Sequence, residues 1–214
     1  MWEVIARWGQ VEWVAPAVVA MAIGYVLVDR DRLATTLVAG FVVAALATAC
    51  TKVAFMAWGV GSQTLDFTGI SGHAMCAATI FPLIGASLSW RAEHRATPAI
   101  AAGVALAIAI GLSRLQTQDH SASEVLAGLA LGAAVAWAAW KRGGPAPRFL
   151  SPVLVAVAML LVAASPAGAE PLPRAHSVLS RIALAISGRA AVYTRTDLHR
   201  MRAPQATADA EAWE

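Results

Sequence analysis

Long apolar runs separated by short polar segments dominate the pattern of this chain. Hydropathy marks six candidate spans, at about residues 13–29, 33–57, 73–90, 97–113, 121–140 and 149–166. The runs are apolar on every face and lack the alternation of apolar and polar positions that a transmembrane strand needs. Helices satisfy their own backbone hydrogen bonds in lipid. The pattern therefore predicts an all-α protein, an integral-membrane bundle of about six transmembrane helices.

The chain changes character after residue 170. Residues 175–188 place apolar side chains on one side of a predicted helix and arginines on the other, a pattern suited to a lipid surface. The last dozen or so residues are typical of disordered chain. We therefore expect a transmembrane domain over residues 1–170 and an extramembrane tail over residues 171–214, which includes an amphipathic helix.

Composition agrees with a membrane location. Of the 214 residues, 58% are hydrophobic and 14% are charged, and the mean hydropathy is +0.62. A water-soluble domain carries roughly 25% charged residues. The net charge of +3 comes from scattered arginines rather than a basic block, which argues against a nucleic-acid partner. Membrane lipids are the expected partners.

Lys and Arg are distributed unevenly among the predicted loops. The first, third and fifth loops hold seven of them, whereas the second and fourth hold only Lys52 and Arg114. By the positive-inside rule, the odd loops are cytoplasmic, and both termini and the even loops face outside. Residues 148–169 agree, because they resemble an internal signal sequence with a possible cleavage site after Ala169. We expect a multi-pass protein of a bacterial inner membrane.

Neither cysteine indicates a metal site. Cys50 and Cys76 lie in no metal-ligand spacing, and each falls within a predicted span. We favour two buried free thiols over a disulfide between them. The cysteines therefore give no indication of a metal site, and no cofactor is expected for this chain.

Ionisable groups beside apolar spans are costly, so a cluster of them needs a reason. Four sets of polar residues lie at the predicted outer ends of the spans: Lys52; Ser71, Gly72 and His73; Ser113 and Arg114; and His120 and Glu124. All four map to one face of the membrane. The sequence therefore predicts a polar site at the outer face.

Several of these groups suit a phosphate. Lys52 supplies a positive charge, and Arg114 offers a planar fork of donors that matches phosphate oxygens. Ser71 and the N–H groups at the start of the third span add donors at a helix N-terminus, where the helix dipole favours an anion. Together they predict a phosphate-binding site.

The two histidines of the set suit different chemical roles. His120 and Glu124 are four residues apart, so on a helix the carboxylate reaches one ring nitrogen and leaves the other free to attack. His73 comes from a different span and is placed to donate a proton to a departing oxygen. The pattern predicts one nucleophilic histidine and one acidic histidine.

The segments SGH at residues 71–73 and SRLQTQDH at residues 113–120 resemble the second and third signature motifs of the type 2 phosphatidic-acid phosphatase superfamily. That superfamily includes lipid phosphate phosphatases, glucose-6-phosphatase and vanadium haloperoxidases. The likeness covers roughly residues 50–135. It implies that His120 forms a phosphohistidine and that Glu124, where the family commonly has Asp, orients it.

The resemblance also implies the remaining roles. His73 would protonate the leaving group, and no metal is implied. The substrate phosphate would be bound by Lys52, Ser71, Gly72 and Arg114.

The first family motif is incomplete here. The family has Lys, six residues and then Arg-Pro, whereas Lys52 is followed at those positions by Gly59 and Val60. One arginine of the phosphate clamp is missing, a loss of about 1.5 to 3 kcal/mol per charged hydrogen bond. Either the substrate binds more weakly or another donor, such as Gln63 or a tail arginine, replaces it.

Other polar residues have no firm role. Asp66 either caps the turn into the third span or accepts a hydrogen bond from a catalytic donor, and Asp119 is interpreted as a solvated loop residue. No role is assigned to His94, His176 or His199.

The function predicted from this sequence is hydrolysis of a lipid phosphate or lipid diphosphate at the outer face, through a phosphohistidine. Two alternatives remain open. One is a lipid phosphotransferase that uses the same site. The other is a non-catalytic binder or transporter of lipid phosphates, which the incomplete first motif would fit.

Overall fold

The computed structural model describes residues 2–88, 96–143 and 175–200, which fold almost entirely into helices. Their bounds are α1 Trp2–Arg7, α2 Val11–Val26, α3 Asp31–Trp58, α4 Gly72–Leu88, α5 Ala96–Gln116, α6 Ala122–Gly143, α7 Ala175–Ser187 and α8 Arg195–Arg200. An isolated bridge between Ser62 and Phe67 is the one β pairing in this part of the chain. The predicted all-α class is confirmed. The predicted span at 149–166 lies outside the described residues.

Three of the described helices are long and apolar enough to cross a membrane: Asp31–Trp58, Pro98–Gln116 and Ala122–Arg142. The helices α2, α4 and α7 are apolar but shorter. Large apolar side chains such as Val43, Leu46 and Leu126 lie on the outside of the bundle. Such a surface is unfavourable in water and favourable in lipid. The chain is a membrane protein.

Helix α4 packs against α2, α5 and α6. Glycines on α6 let it approach α4 closely. A Cβ at Gly128 would lie 2.4 Å from the carbonyl oxygen of Ser71, and one at Gly132 would lie 2.2 Å from that of Met75. Because no side chain fits at those distances, this Gly-x-x-x-Gly pair is required for packing. It holds the start of α6 beside the start of α4.

Helix α3 ends at Gly59, which adopts a left-handed conformation with φ of 70°. The N–H of Gly59 donates to the carbonyl of Phe55 at 2.7 Å, and that of Val60 donates to Ala54 at 3.4 Å. These bonds satisfy carbonyl groups that the helix end leaves without a partner. The glycine at this position therefore terminates α3 and directs the chain into the segment 59–71.

The tail returns to the end of the bundle where α3 finishes. Ala183 of α7 is fully buried in a small apolar cluster with Met56 and Ala57, and the N–H of Tyr193 donates to the carbonyl of Met56 at 2.9 Å. Ile182 of α7 stays exposed, so the helix has apolar groups both against α3 and facing outward.

The boundary proposed for the two domains at residue 170 lies outside the described residues, and the division stays a prediction. The possible cleavage site at Ala169 and the last dozen or so residues also lie outside them.

Both cysteines are free. Cys76 is buried as predicted, but Cys50 is exposed. The prediction of two buried thiols is wrong for Cys50, because that residue lies on the outer surface of α3.

Candidate active site

The polar groups singled out in the sequence meet at one end of the bundle, where α3 and α5 end and α4 and α6 begin. The N–H of Ser71 donates to the backbone carbonyl of Glu124 at 3.1 Å. The hydroxyl of Ser123 donates to the carbonyl of Leu65 at 2.7 Å. These bonds fasten the segment 59–71 to the first turn of α6 and bring the predicted motifs together.

Glu124 is the centre of the site, and its side chain is 0% exposed. Its Oε1 accepts hydrogen bonds from the N–H and the hydroxyl of Thr68, both at 2.6 Å. Its Oε2 pairs with Nδ1 of His120 at 2.6 Å and accepts from the N–H of Ser121 at 3.2 Å and from Nη2 of Arg195 at 2.8 Å. A buried carboxylate stays ionised when it is paired and hydrogen-bonded in this way. Glu124 is therefore a buried anion.

His120 lies between α5 and α6, with its side chain 11% exposed. The contact with Glu124 that the spacing predicts is present. Burial lowers the pKa of His120, and the hydrogen bond to Glu124 acts in the opposite direction. The ring is therefore neutral near neutral pH. A neutral imidazole that donates from Nδ1 carries its lone pair on Nε2.

Two buried donors at the site have no hydrogen-bond partner among the described residues: the hydroxyl of Ser71 and Nε of Arg114. The other end of the Arg114 guanidinium pairs with Asp119 at 2.9 Å. Buried polar atoms are almost always paired, so these two donors suit an anionic ligand.

Asp119 was interpreted from the sequence as a solvated loop residue. Its side chain is half-exposed, and it also pairs with Arg114.

The remaining predicted site residues lie around the same centre. Lys52 is in the second half of α3, where the charges of Glu124 and Arg114 act on it. His73 is in the first turn of α4 and lies within electrostatic range of Arg114, Lys52 and His120. Gly72 begins α4.

No group of three or more His, Cys, Asp or Glu residues that could hold a metal occurs in the described ranges 2–88, 96–143 and 175–200.

The sequence interpretation did not single out Thr68 or Arg195, although it named a tail arginine as one candidate donor for the phosphate. Arg195 also pairs with Asp66 through Nη1, which contacts the side-chain Oδ2 and, at 3.0 Å, the backbone carbonyl. Asp66 thus accepts hydrogen bonds from a tail arginine, a donor that neither of the two interpretations given for it named. His199, which was assigned no role, lies 3.2 Å from Asp66 Oδ1 through its Nε2. No local pattern in the tail indicates these contacts.

Comparison with known proteins adds the family. The family model described as PAP2 superfamily matches residues 47–146, the range that contains α4, both signature segments and Lys52. The chain belongs to the PAP2 superfamily. A protein of Klebsiella pneumoniae described as an uncharacterized 22.5 kDa protein in cps region is 33% identical over 213 residues, which are 93% of this chain and 98% of that protein. No solved structure matches the chain.

Membership of the PAP2 superfamily confirms the resemblance seen in the two motifs. It indicates a phosphatase-type function, the hydrolysis of a phosphoester in the general sense. The PAP2 match ends at residue 146, so the tail that supplies Arg195 lies beyond the matched region.

Proposed function

We propose that the protein is an integral-membrane phosphatase that hydrolyses a lipid phosphate or lipid diphosphate through a phosphohistidine on His120. The observation that carries this proposal is the 2.6 Å contact between Nδ1 of His120 and the buried carboxylate of Glu124. It fixes the ring orientation and directs the nucleophilic lone pair to Nε2. A histidine held in this way is suited to attack phosphorus.

The reaction then has two steps. Nε2 of His120 attacks phosphorus, the bond from phosphorus to the leaving oxygen breaks, and His73 gives its proton to that oxygen. Water next attacks the phosphohistidine, His73 takes a proton from that water, and phosphate leaves with His120 restored. The negative charge of the bound phosphate favours the protonated form of His73 in the first step. Glu124 stabilises the positive charge that develops on the imidazole of His120.

Phosphate binding is assigned to donors around the nucleophile. The unpaired hydroxyl of Ser71 and Nε of Arg114 are available to phosphate oxygens, and Lys52 adds a positive charge. The N–H of Gly72 lies at the start of α4, where the helix dipole favours an anion. The absence of the clamp arginine at Gly59 leaves fewer charged donors and favours weaker substrate binding.

A lipid is the favoured substrate because of where the site lies. It is at the end of a bundle whose outer surface is apolar, at the depth where lipid headgroups meet the protein. Helix α7, with Ile182 exposed, borders the same end. The distribution of Lys and Arg favours the outer, periplasmic face of a bacterial inner membrane for this end.

The direct test measures phosphate release by detergent-purified protein from a panel of lipid phosphates and diphosphates, with a chelator present. We expect wild-type release that His120→Ala abolishes and His73→Ala strongly reduces. His176→Ala is the matched control, because His176 is exposed at the start of α7, and it should behave as wild type. Full activity of His120→Ala would contradict the mechanism. A phosphorylated acceptor formed without matching free phosphate would instead indicate a phosphotransferase.

A further inference from the structure

Arg195, from the tail, enters the site and uses both terminal nitrogens on protein acceptors. Nη2 donates to Oε2 of Glu124 at 2.8 Å and to the hydroxyl of Thr68 at 3.3 Å. Nη1 donates to the carboxylate of Asp66 and, at 3.0 Å, to its backbone carbonyl. The side chain is 28% exposed. One guanidinium thus joins the buried anion of α6 to the segment before α4.

Several contacts hold Arg195 in this place. It begins α8, whose first turn is capped by Asp197, which accepts from the N–H of Thr194 at 2.8 Å and from its hydroxyl at 2.7 Å. Leu198 is buried beside Gly61. The N–H of Tyr193 is bonded to the end of α3. The arginine is therefore anchored from both sides rather than carried by a loose tail.

We propose that Arg195 is a positioning residue of the active site, one that fixes the Glu124 carboxylate and supplies the positive charge that balances it. This inference rests on the proposed function. A buried carboxylate needs a cationic partner. If Arg195 did not supply that charge, the nearest group able to do so would be His120, by taking up a proton. A protonated His120 has no lone pair and cannot attack phosphorus.

The same arginine is a poor replacement for the missing phosphate-clamp arginine. Both of its terminal nitrogens are engaged with Asp66, Thr68 and Glu124. To reach a phosphate with those nitrogens, it would have to leave a fully buried carboxylate, and breaking such a pair is strongly unfavourable. The geometry therefore favours a role in which Arg195 acts through Glu124 and does not contact the substrate.

The charge environment of His120 gives a readout specific to this role. The ionisable groups around the ring come from every neighbouring element: Lys52 of α3, His73 of α4, Arg114 of α5, Glu124 of α6 and Arg195 of α8. Removal of Arg195 leaves His120 as the one group, among the described residues, that is hydrogen-bonded to Glu124 and can take up a positive charge. The pKa of His120 should then rise, so the acidic limb of the pH profile of kcat/KM should move to higher pH.

The experiment compares Arg195→Ala, Arg195→Gln and Arg195→Lys in the full chain. The control is Arg189→Ala, because Arg189 is exposed and its side chain hydrogen-bonds within the tail, to Ala191 and Tyr193. We expect Arg195→Ala to lower kcat about 10- to 100-fold with little change in KM, the size of effect typical of a misplaced catalytic group. Arg195→Lys, which keeps the charge without the fork, should recover part of the loss.

A second readout does not depend on turnover. The ring pKa of His120 is measured by NMR in detergent, with labelled histidine and His120→Asn to assign the signal. A higher pKa in Arg195→Ala than in wild type supports the proposal. An unchanged pKa with unchanged kcat overturns it, as does an increase confined to KM, which would make Arg195 a substrate-binding residue.

Folding and function can be separated in this design. If Arg195→Ala melts well below the wild type, Arg195→Gln is compared with the wild type instead. This variant keeps hydrogen bonding but not the charge. If the wild-type protein releases no phosphate from any lipid, the proposed function fails. The His120 titration then still decides whether Arg195 sets the charge state of the pair.

Discussion

At the scale of single residues, the site is organised around the carboxylate of Glu124. Its partners come from three separate parts of the chain: Thr68 before α4, His120 and Ser121 before α6, and Arg195 in the tail. The family commonly has the shorter Asp at this position. The longer Glu side chain here spans the distance between Thr68 and His120 and accepts bonds from both. One buried anion therefore holds both His120, the proposed nucleophile, and the segment before α4.

The charge of Glu124 can be removed with almost no change in shape. Glu124→Gln should lower kcat about 100-fold or more, because the amide neither fixes the His120 tautomer nor stabilises a positive imidazole. Glu124→Asp keeps the charge and should retain more activity than Glu124→Gln. Initial rates of phosphate release measure both. Equal activity of Glu124→Gln and the wild type would contradict the assigned role.

The pKa of His120 predicts how activity depends on pH. Burial lowers this pKa, so the neutral nucleophile persists to more acidic pH than a free histidine would allow. The acidic limb of kcat/KM should therefore lie below the ordinary histidine pKa. The neutral ring also stabilises the fold above the pKa of His120 in the unfolded chain, and this contribution is lost as the pH falls from there through the folded pKa. A profile with its acidic limb above the ordinary value would contradict this prediction.

At the scale of elements, helix ends determine what the site contains. The last turn of α3 closes on Gly59 in a left-handed conformation, at the position where the family has its clamp arginine. An arginine there would have to adopt a backbone conformation that costs roughly 1 to 2 kcal/mol for residues other than glycine. The missing arginine is thus linked to the way that α3 ends.

Placing the family's arginine at position 59 should therefore not strengthen phosphate binding. Gly59→Arg should destabilise the protein by about 1 kcal/mol and leave kcat/KM no higher than in the wild type. Gly59→Asn is the matched control, because Asn tolerates the left-handed conformation, and it should melt closer to the wild type. Thermal melting in detergent and phosphate release measure the two effects. A higher kcat/KM in Gly59→Arg would show that the side chain does reach the phosphate.

At the scale of the whole molecule, the N-terminal segment and the tail both meet the end of the bundle that holds the candidate site. A Cβ at Gly9, after α1, would lie 2.9 Å from the backbone carbonyl oxygen of His73, and the tail contacts Glu124 and the end of α3. The PAP2 match covers residues 47–146, so both of these additions come from outside it. Both segments therefore lie beside the candidate site but outside the region that the family model matches.

The orientation of this end can be measured in intact cells. In a background with Cys50→Ala and Cys76→Ala, Thr64→Cys places a thiol in the exposed segment at the site end, and Asp31→Cys places one at the opposite end of α3. A membrane-impermeant maleimide should label the first variant and not the second until the cells are opened. The reverse labelling pattern would place the site on the cytoplasmic side. It would contradict the orientation predicted from the distribution of Lys and Arg among the loops.

The sequence by itself determined the long apolar helices and the two family motifs. The spans predicted at 33–57 and 73–90 correspond to the helices Asp31–Trp58 and Gly72–Leu88. They were predictable because the hydropathy of a continuous stretch depends only on local sequence, and a bilayer favours apolar helices of this length. The contact of His120 with Glu124 was predicted from their spacing of four residues, but His120 precedes α6, so the contact is made across the start of the helix rather than along one helix face. The family resemblance rested on the same short segments.

Only the tertiary structure decided how the buried anion is balanced. Arg195 is 129 residues from Asp66 in sequence, and nothing in its neighbourhood distinguishes it from an arginine at a lipid surface. The exposure of Cys50 and the helix-ending role of Gly59 were likewise not evident from local pattern. Hydropathy and residue spacing depend on local sequence and predict the structure of one segment at a time. A charge pair between distant segments forms only when the helices have packed together.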